Sequence, residues 1–236
     1  MHRSPGDREP ANGRLLAARR GERQDMVRRQ IAARGVRDAR VLEAMGAVPR
    51  ELFVDPAWAD EAYADRALPI GRGQTISQPY TVAFMMAALE LTGTERVLEV
   101  GAGSGYAAAV LAHLARSVCA VERIAALAEE ARLRLVQLGC TNVELAFGDG
   151  GEGWPQRAPF DAILVSAATD RVPPALREQL ADGGRLVLPL GRAGWQEMTR
   201  LTKLGRNWSC ESLGAFGFVP LRSGVDGSRE EDAARR

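Results

Sequence analysis

The chain has 236 residues, 46% hydrophobic and 26% charged, which suits one globular core with appendages better than two full domains. The net charge is only +1, so the whole-chain balance offers no basic excess for gripping nucleic acid. The longest apolar run, Val82 to Leu89, spans eight residues, far short of the ~20 that a membrane-spanning helix needs.

Charge is unevenly placed. Residues 1–29 hold eight arginines against four acids. The leader has no apolar stretch of a secretory signal, and Asp7, Glu9 and Glu22 set it apart from acid-poor transit peptides. Its Pro/Gly content and low hydrophobicity predict a disordered Arg-rich leader over 1–22, with a second disordered tail over 225–236. Neither end is expected to matter for catalysis, and a cytoplasmic location is expected for the chain.

An N-terminal helical part is read over 23–92. Val41, Leu42, Met45 and Val48 recur at helix spacing behind Asp38, a candidate N-cap, and Pro49 ends the run. Asp55-Pro56 opens a short helix through Tyr63. The stretch from Gly71 to Gln78 reads as a loop, with Ser77 expected at the N-cap of a helix that Pro79 starts and that runs to about Leu91. After Gly93 strands and helices alternate: strands at Arg96–Val100, Ser117–Val121, Val143–Phe147, Phe160–Ser166 and Gly184–Leu190, and helices at Gly105–Leu114, Ile124–Leu138 and Pro173–Leu180. Two alternating segments, Glu197–Leu204 and Trp208–Ala215, read as an antiparallel finish. Helices of this length between strands mean parallel crossovers, so 93–224 is expected to be an α/β core with a doubly wound mixed sheet, forming one domain with 23–92.

The first of these strands runs into Glu99-Val100-Gly101-Ala102-Gly103-Ser104-Gly105. A glycine turn between strand and helix lets a ligand approach the backbone and presents free N–H groups. The spacing is GxGxG rather than the GxGxxG of dinucleotide sites, and Glu99 stands just before it. A sulfonium ligand has no pyrophosphate to cradle, and its positive charge suits nearby acids. Glu122 ends the second strand, where a carboxylate can accept hydrogen bonds from both ribose hydroxyls. Asp149-Gly150 follows the third, placed for the adenine. With His2 and His113 as the only histidines and three scattered cysteines, a metal site, a Ser-His-Asp triad and a disulfide framework all lack raw material.

Several segments together resemble the protein-L-isoaspartate O-methyltransferase family. They are Pro69–Pro79 (PIGRGQTISQP), Val97–Tyr106 (VLEVGAGSGY), Val121–Ile124, Gly148-Asp149-Gly150, Ala158–Ile163, Leu180–Gly191 (LADGGRLVLPLG) and Phe218–Leu221, spread from about Met26 to Leu221. The glycine and GDG elements are common to many methyltransferases, whereas GQTIS followed by Pro is specific. The resemblance implies a class I, Rossmann-like fold, S-adenosyl-L-methionine as cofactor, and isoaspartyl-containing peptides and proteins as substrates, with no nucleic-acid or membrane partner and a monomeric enzyme. It also implies that Gln74, Thr75, Ile76 and Ser77 sit at the cofactor and that Ser77 is the active-site serine. Cofactor binding would then involve Gln74, Thr75, Ile76, Ser77, Glu99, Gly101, Gly103, Ser104, Gly105, Glu122, Asp149 and Gly150, with no metal. Val82 and Arg222 fall where family members also contact ligand, at positions whose side chains vary. Ser166–Asp170 departs from the family's tendency toward Thr-Ala-Ala-Ala-Pro, on an expected substrate rim. A relative dedicated to one peptide, and a cofactor-binding scaffold without turnover, are the alternatives to repair of many proteins.

Overall fold

The computed structural model describes residues 19–192 and 195–226. Helix α1, Arg20–Met26, continues through a π turn at Val27–Ile31 and a 3-10 turn at Ala32–Arg34, where Gly35 takes φ +97° and stops it. Arg19, within the stretch read as leader, hydrogen-bonds Glu22 and the Asp60 carbonyl in the 3-10 turn Pro56–Glu61. The rest of the leader, residues 1–18, lies outside the described residues. Helix α2, Ala39–Ala47, is capped as expected by Asp38, whose side chain accepts from the N–H groups of Arg40 and Val41.

The stretch expected to be a loop is a hairpin. Strands β1, Leu68–Gly71, and β2, Gln74–Ile76, pair antiparallel around Arg72 and Gly73. Both turn residues have positive φ, +53° and +67°, the requirement of a two-residue turn that matches strand twist. Helix α3, Pro79–Ala88, follows and ends sooner than expected because Glu90 turns left-handed at φ +49°.

Beyond it come β3 (Arg96–Val100), α4 (Tyr106–Leu114), β4 (Ser117–Glu122), α5 (Ala125–Gln137), β5 (Val143–Phe147), β6 (Phe160–Val165), α6 (Pro174–Gln179), β7 (Leu180–Arg192), β8 (Trp195–Leu204) and β9 (Asn207–Phe216). They build a seven-stranded sheet in the order β5-β4-β3-β6-β7-β8-β9, parallel from β5 to β7 and antiparallel from β7 to β9. Strand alternation divides the core. Val97 faces the larger cluster with α1 to α5, whereas Leu98 and Val100 face a smaller cluster with Leu176 of α6. Order reverses between β3 and β6, and that switch point is where an open α/β sheet leaves a crevice at its strand ends.

Residues 219–226 return to that crevice. Ala168 N–H donates to the Val219 carbonyl at 2.8 Å and Leu221 N–H to the Ala168 carbonyl at 2.6 Å, while Asp226 N–H donates to the Arg123 carbonyl at 2.8 Å and its carbonyl accepts from Ala125 N–H at 3.1 Å. Of the stretch read as a tail, Asp226 lies against the start of α5 through a backbone bridge to Ile124. The remainder of the tail, 227–236, lies outside the described residues.

Candidate active site

Two glycines of the site, Gly103 in the turn and Gly150 after β5, have little room for a side chain. A Cβ on Gly103, at φ +54°, would stand 3.2 Å from Ile70 Cδ1, and one on Gly150 would stand 2.5 Å from Val100 Cγ1. Backbone bonds then fix the turn to the end of β4. The N–H groups of Gly101 and Ala102 donate to the Val121 carbonyl at 2.9 and 3.2 Å. Gly103 N–H donates to Glu122 Oε2 at 2.8 Å, and Ile124 N–H donates to Glu122 Oε1 at 2.9 Å. Each Glu122 oxygen keeps a further lone pair for a ligand hydroxyl.

Two small cavities meet at Gly101. One, about 40 Å³, is lined by Glu122, Gly150, Gln74 and, from the returning chain end, Leu221 and Arg222. The other, about 50 Å³, is lined by Glu99, Gly103, Ser104, Ile76 and Ser77, with Met85 and Met86 of α3. A broad cleft of about 940 Å³ opens beside the second, walled by α3, β2 and residues 213–219. Thr75, Ser77 and Ser166 are the residues that line both the enclosed cavity and the broad cleft. All three carry hydroxyls.

Glu99 differs from every other acid in the site. It is fully buried, and among the described residues neither carboxylate oxygen has a hydrogen-bond partner. Burial, and after it the charge of nearby Glu122, push its carboxyl well above the ordinary range. A buried carboxyl with two free oxygens at a small cavity fits the cationic part of a ligand, which would supply the missing charge and donors. It does not fit a pyrophosphate, which would bring further negative charge beside Glu99 and Glu122 and no cation.

Most of the expected residues converge here, with two exceptions and one correction. Gly105 serves the start of α4 and its added Cβ would meet Ala131, so it shapes the helix contact rather than the cavity wall. Asp149 lines neither small cavity. Its oxygens accept from Gly151 N–H at 2.8 Å and from Gly224 N–H, so it caps a 3-10 turn and holds the chain end, leaving Gly150 as the wall. The correction concerns Ser77, which is not the N-cap. Gln78 is, with no side-chain capping bond, because Pro79 at the first helical position already removes one orphan donor. Met85, Met86 and Tyr106 were not anticipated; the α3 apolar run is visible in sequence, but nothing there says which of its faces meets a ligand. Among the described residues, no group of three or more His, Cys, Asp or Glu could hold a metal ion.

A model of the protein-L-isoaspartate(D-aspartate) O-methyltransferase family matches residues 21–226. The chain belongs to that family. It is 56% identical to the protein-L-isoaspartate O-methyltransferase of Methylorubrum extorquens over 94% of this chain and 97% of the relative. To that of Serratia proteamaculans it is 53% identical, over 83% and 93%. A solved protein-L-isoaspartate O-methyltransferase superposes with a TM-score of 0.76 at 28% identity, covering 87% of this chain and 67% of that one. The fold is shared again with a Plasmodium falciparum structure solved with S-adenosyl-L-homocysteine, at a TM-score of 0.72 and 24% identity over 85% and 98%. The expected fold is therefore borne out, and the activity is transfer of a methyl group from S-adenosyl-L-methionine to the α-carboxylate of L-isoaspartyl residues.

Proposed function

We propose that the enclosed cavities hold the cofactor while the broad cleft holds the isoaspartyl peptide, and that Ser77 stands at the meeting point as the catalytic serine. The observation that carries this is the hydroxyl-lined junction of Thr75, Ser77 and Ser166 between cavity and cleft. Bound S-adenosyl-L-methionine supplies an electrophilic methyl on a sulfonium. Glu99 supplies the countercharge for such a ligand, and Glu122 accepts from its ribose hydroxyls. Gly101, Gly103, Ser104 and Gly150 allow close approach, and Gln74, Thr75 and Ile76 cover it from the hairpin.

The nucleophile needs no general base. A peptide α-carboxyl has a pKa of roughly 3.5 and is already ionised near neutrality. The chain's task is then alignment and exclusion of water. Ser77 donates its hydroxyl proton as a hydrogen bond to one carboxylate oxygen, leaving the other free to attack. The same reading makes the enzyme monomeric and cytosolic, without nucleic-acid or membrane partners; free Cys119, Cys140 and Cys210 suit a reducing compartment. Light scattering on the purified chain checks the oligomeric state.

Ser77→Ala removes the hydroxyl at nearly constant volume. It is expected to lower kcat/KM for an isoaspartyl peptide about 10-fold or more, ~1.4 kcal/mol of transition-state stabilisation, with little change in cofactor affinity. Wild-type kcat/KM in that variant would remove Ser77 from the catalytic role. Labelled-methyl transfer to an isoaspartyl peptide and its normal aspartyl twin tests the substrate, since the twin should stay unlabelled.

A further inference from the structure

Arg50 is a fully buried cation that the reaction as derived so far does not use. Its Nε donates to the Ala62 carbonyl and its Nη2 to the Ser77 carbonyl, both at 2.8 Å. Among the described residues its Nη1 has no partner at hydrogen-bond geometry. Its guanidinium lies 5.0 Å from the ring centre of Tyr106, which lines the enclosed cavity together with Ser77. Nearby Arg23, also buried, has Glu51 at 3.7 Å, but among the described residues Arg50 makes no ion pair. Burying a charge without a counterion is costly, so an apolar core residue would be the cheaper filling for this space.

What the guanidinium does with that cost is local. Ser77 lies one residue past the end of β2 and one residue before the N-cap of α3, so neither the hairpin nor the helix claims its carbonyl. Gln78 is held separately, by a 2.8 Å bond from its side chain to Asp65. Fixing the Ser77 carbonyl fixes the plane of the peptide that follows and so restrains rotation about the Ser77 Cα–C bond, on which the direction of its side chain depends. Two carbonyls from segments far apart in sequence, gripped by one planar fork, give a geometry that a lysine could not reproduce.

We infer that Arg50 is the positioning residue for Ser77, aiming the serine hydroxyl at the substrate carboxylate by holding its backbone carbonyl. The inference rests on the catalytic reading of Ser77. It is tested by a double-mutant cycle of Arg50→Lys and Ser77→Ala, with Arg50→Gln as a second variant, each assayed for S-adenosyl-L-homocysteine binding and for methylation of an isoaspartyl peptide. Arg50→Lys is expected to bind the cofactor product within about 3-fold of wild type while kcat falls roughly 10-fold, and to add less than ~3-fold to the loss already present in Ser77→Ala. Three results would overturn the inference: wild-type kcat in Arg50→Lys, losses that multiply in the double variant, or collapse of folding and cofactor-product binding in both Arg50 variants. Wild-type turnover in Ser77→Ala alone would bring down the serine assignment itself, and that single variant tells the two failures apart.

Discussion

Along the strand ends the site buries two carboxyl groups, Glu99 and Glu122, whereas under the Ser77 loop it buries a cation, Arg50. The two carboxyl groups are themselves unlike. Glu122 spends both oxygens on backbone N–H groups and is part of the turn's own architecture. Glu99 spends neither. Arg50 resembles Glu122 in grip and Glu99 in having a polar end left over. The contrast separates charges that build the site from charges that wait for a ligand. A buried charge bonded only to backbone shapes a wall, and one bonded to nothing marks where a partner of opposite sign belongs.

The contrast can be broken at Glu122. Glu122→Ala strips two buried N–H groups of their acceptor as well as any ribose contact, so both stability and cofactor affinity should fall, the affinity by about 1–3 kcal/mol. Calorimetry with S-adenosyl-L-homocysteine measures the second; unchanged affinity would show that the carboxylate is architecture alone.

Glu99→Gln should separate the two measurements instead. Removing the charge should weaken S-adenosyl-L-methionine binding about 10-fold, roughly 1.4 kcal/mol, yet help the ligand-free fold. The sign follows from the raised carboxyl pKa of Glu99, caused first by burial and then by Glu122. The folded state holds this proton more tightly than the unfolded chain does. Its contribution is full below the ordinary carboxyl range and is lost as pH rises toward the raised folded value. Thermal unfolding of the ligand-free protein should therefore show wild type losing stability relative to Glu99→Gln across that window. Parallel curves would mean that Glu99 has a partner in solution.

The smallest effect belongs to Asp149, whose oxygens serve the backbone of Gly151 and Gly224 rather than a cavity. Asp149→Ala should cost about 1 kcal/mol of stability by loss of a cap, with faster amide exchange at Gly224 and nearly intact turnover. A large loss of turnover would return Asp149 to the binding wall.

The carboxyl wall was the more legible of the two. Its residues sit in contiguous motifs at the ends of β3 and β4, where strand periodicity and a glycine turn fix their direction almost without tertiary information. Even there the sequence could not distinguish Glu99 from Glu122, because satisfaction of a carboxylate depends on which N–H groups fold around it. Asp149 looked like a third member of the same set, but its partner Gly224 comes from the far end of the chain. The cationic wall was opaque. Arg50 follows Pro49 in a stretch with no motif, and its bond to Ser77 crosses 27 residues. Reading Ser77 as a cap and the hairpin as a loop had one cause. Strands of four and three residues, around a turn of Arg72 and Gly73, are too short to show alternation.

The returning chain end has a consequence for biosynthesis. Leu221 and Arg222 line the same cavity as Gly101 and Glu122, and residues 224 and 226 latch onto Asp149 and Arg123. A polypeptide leaves the ribosome amino end first, so the glycine turn and its sheet neighbours emerge well before that wall exists. For most of translation the nascent chain carries the turn without the finished pocket. Stabilisation by cofactor, which requires a site present in the folded state and absent from the unfolded one, becomes available only when residues 221–226 clear the exit tunnel.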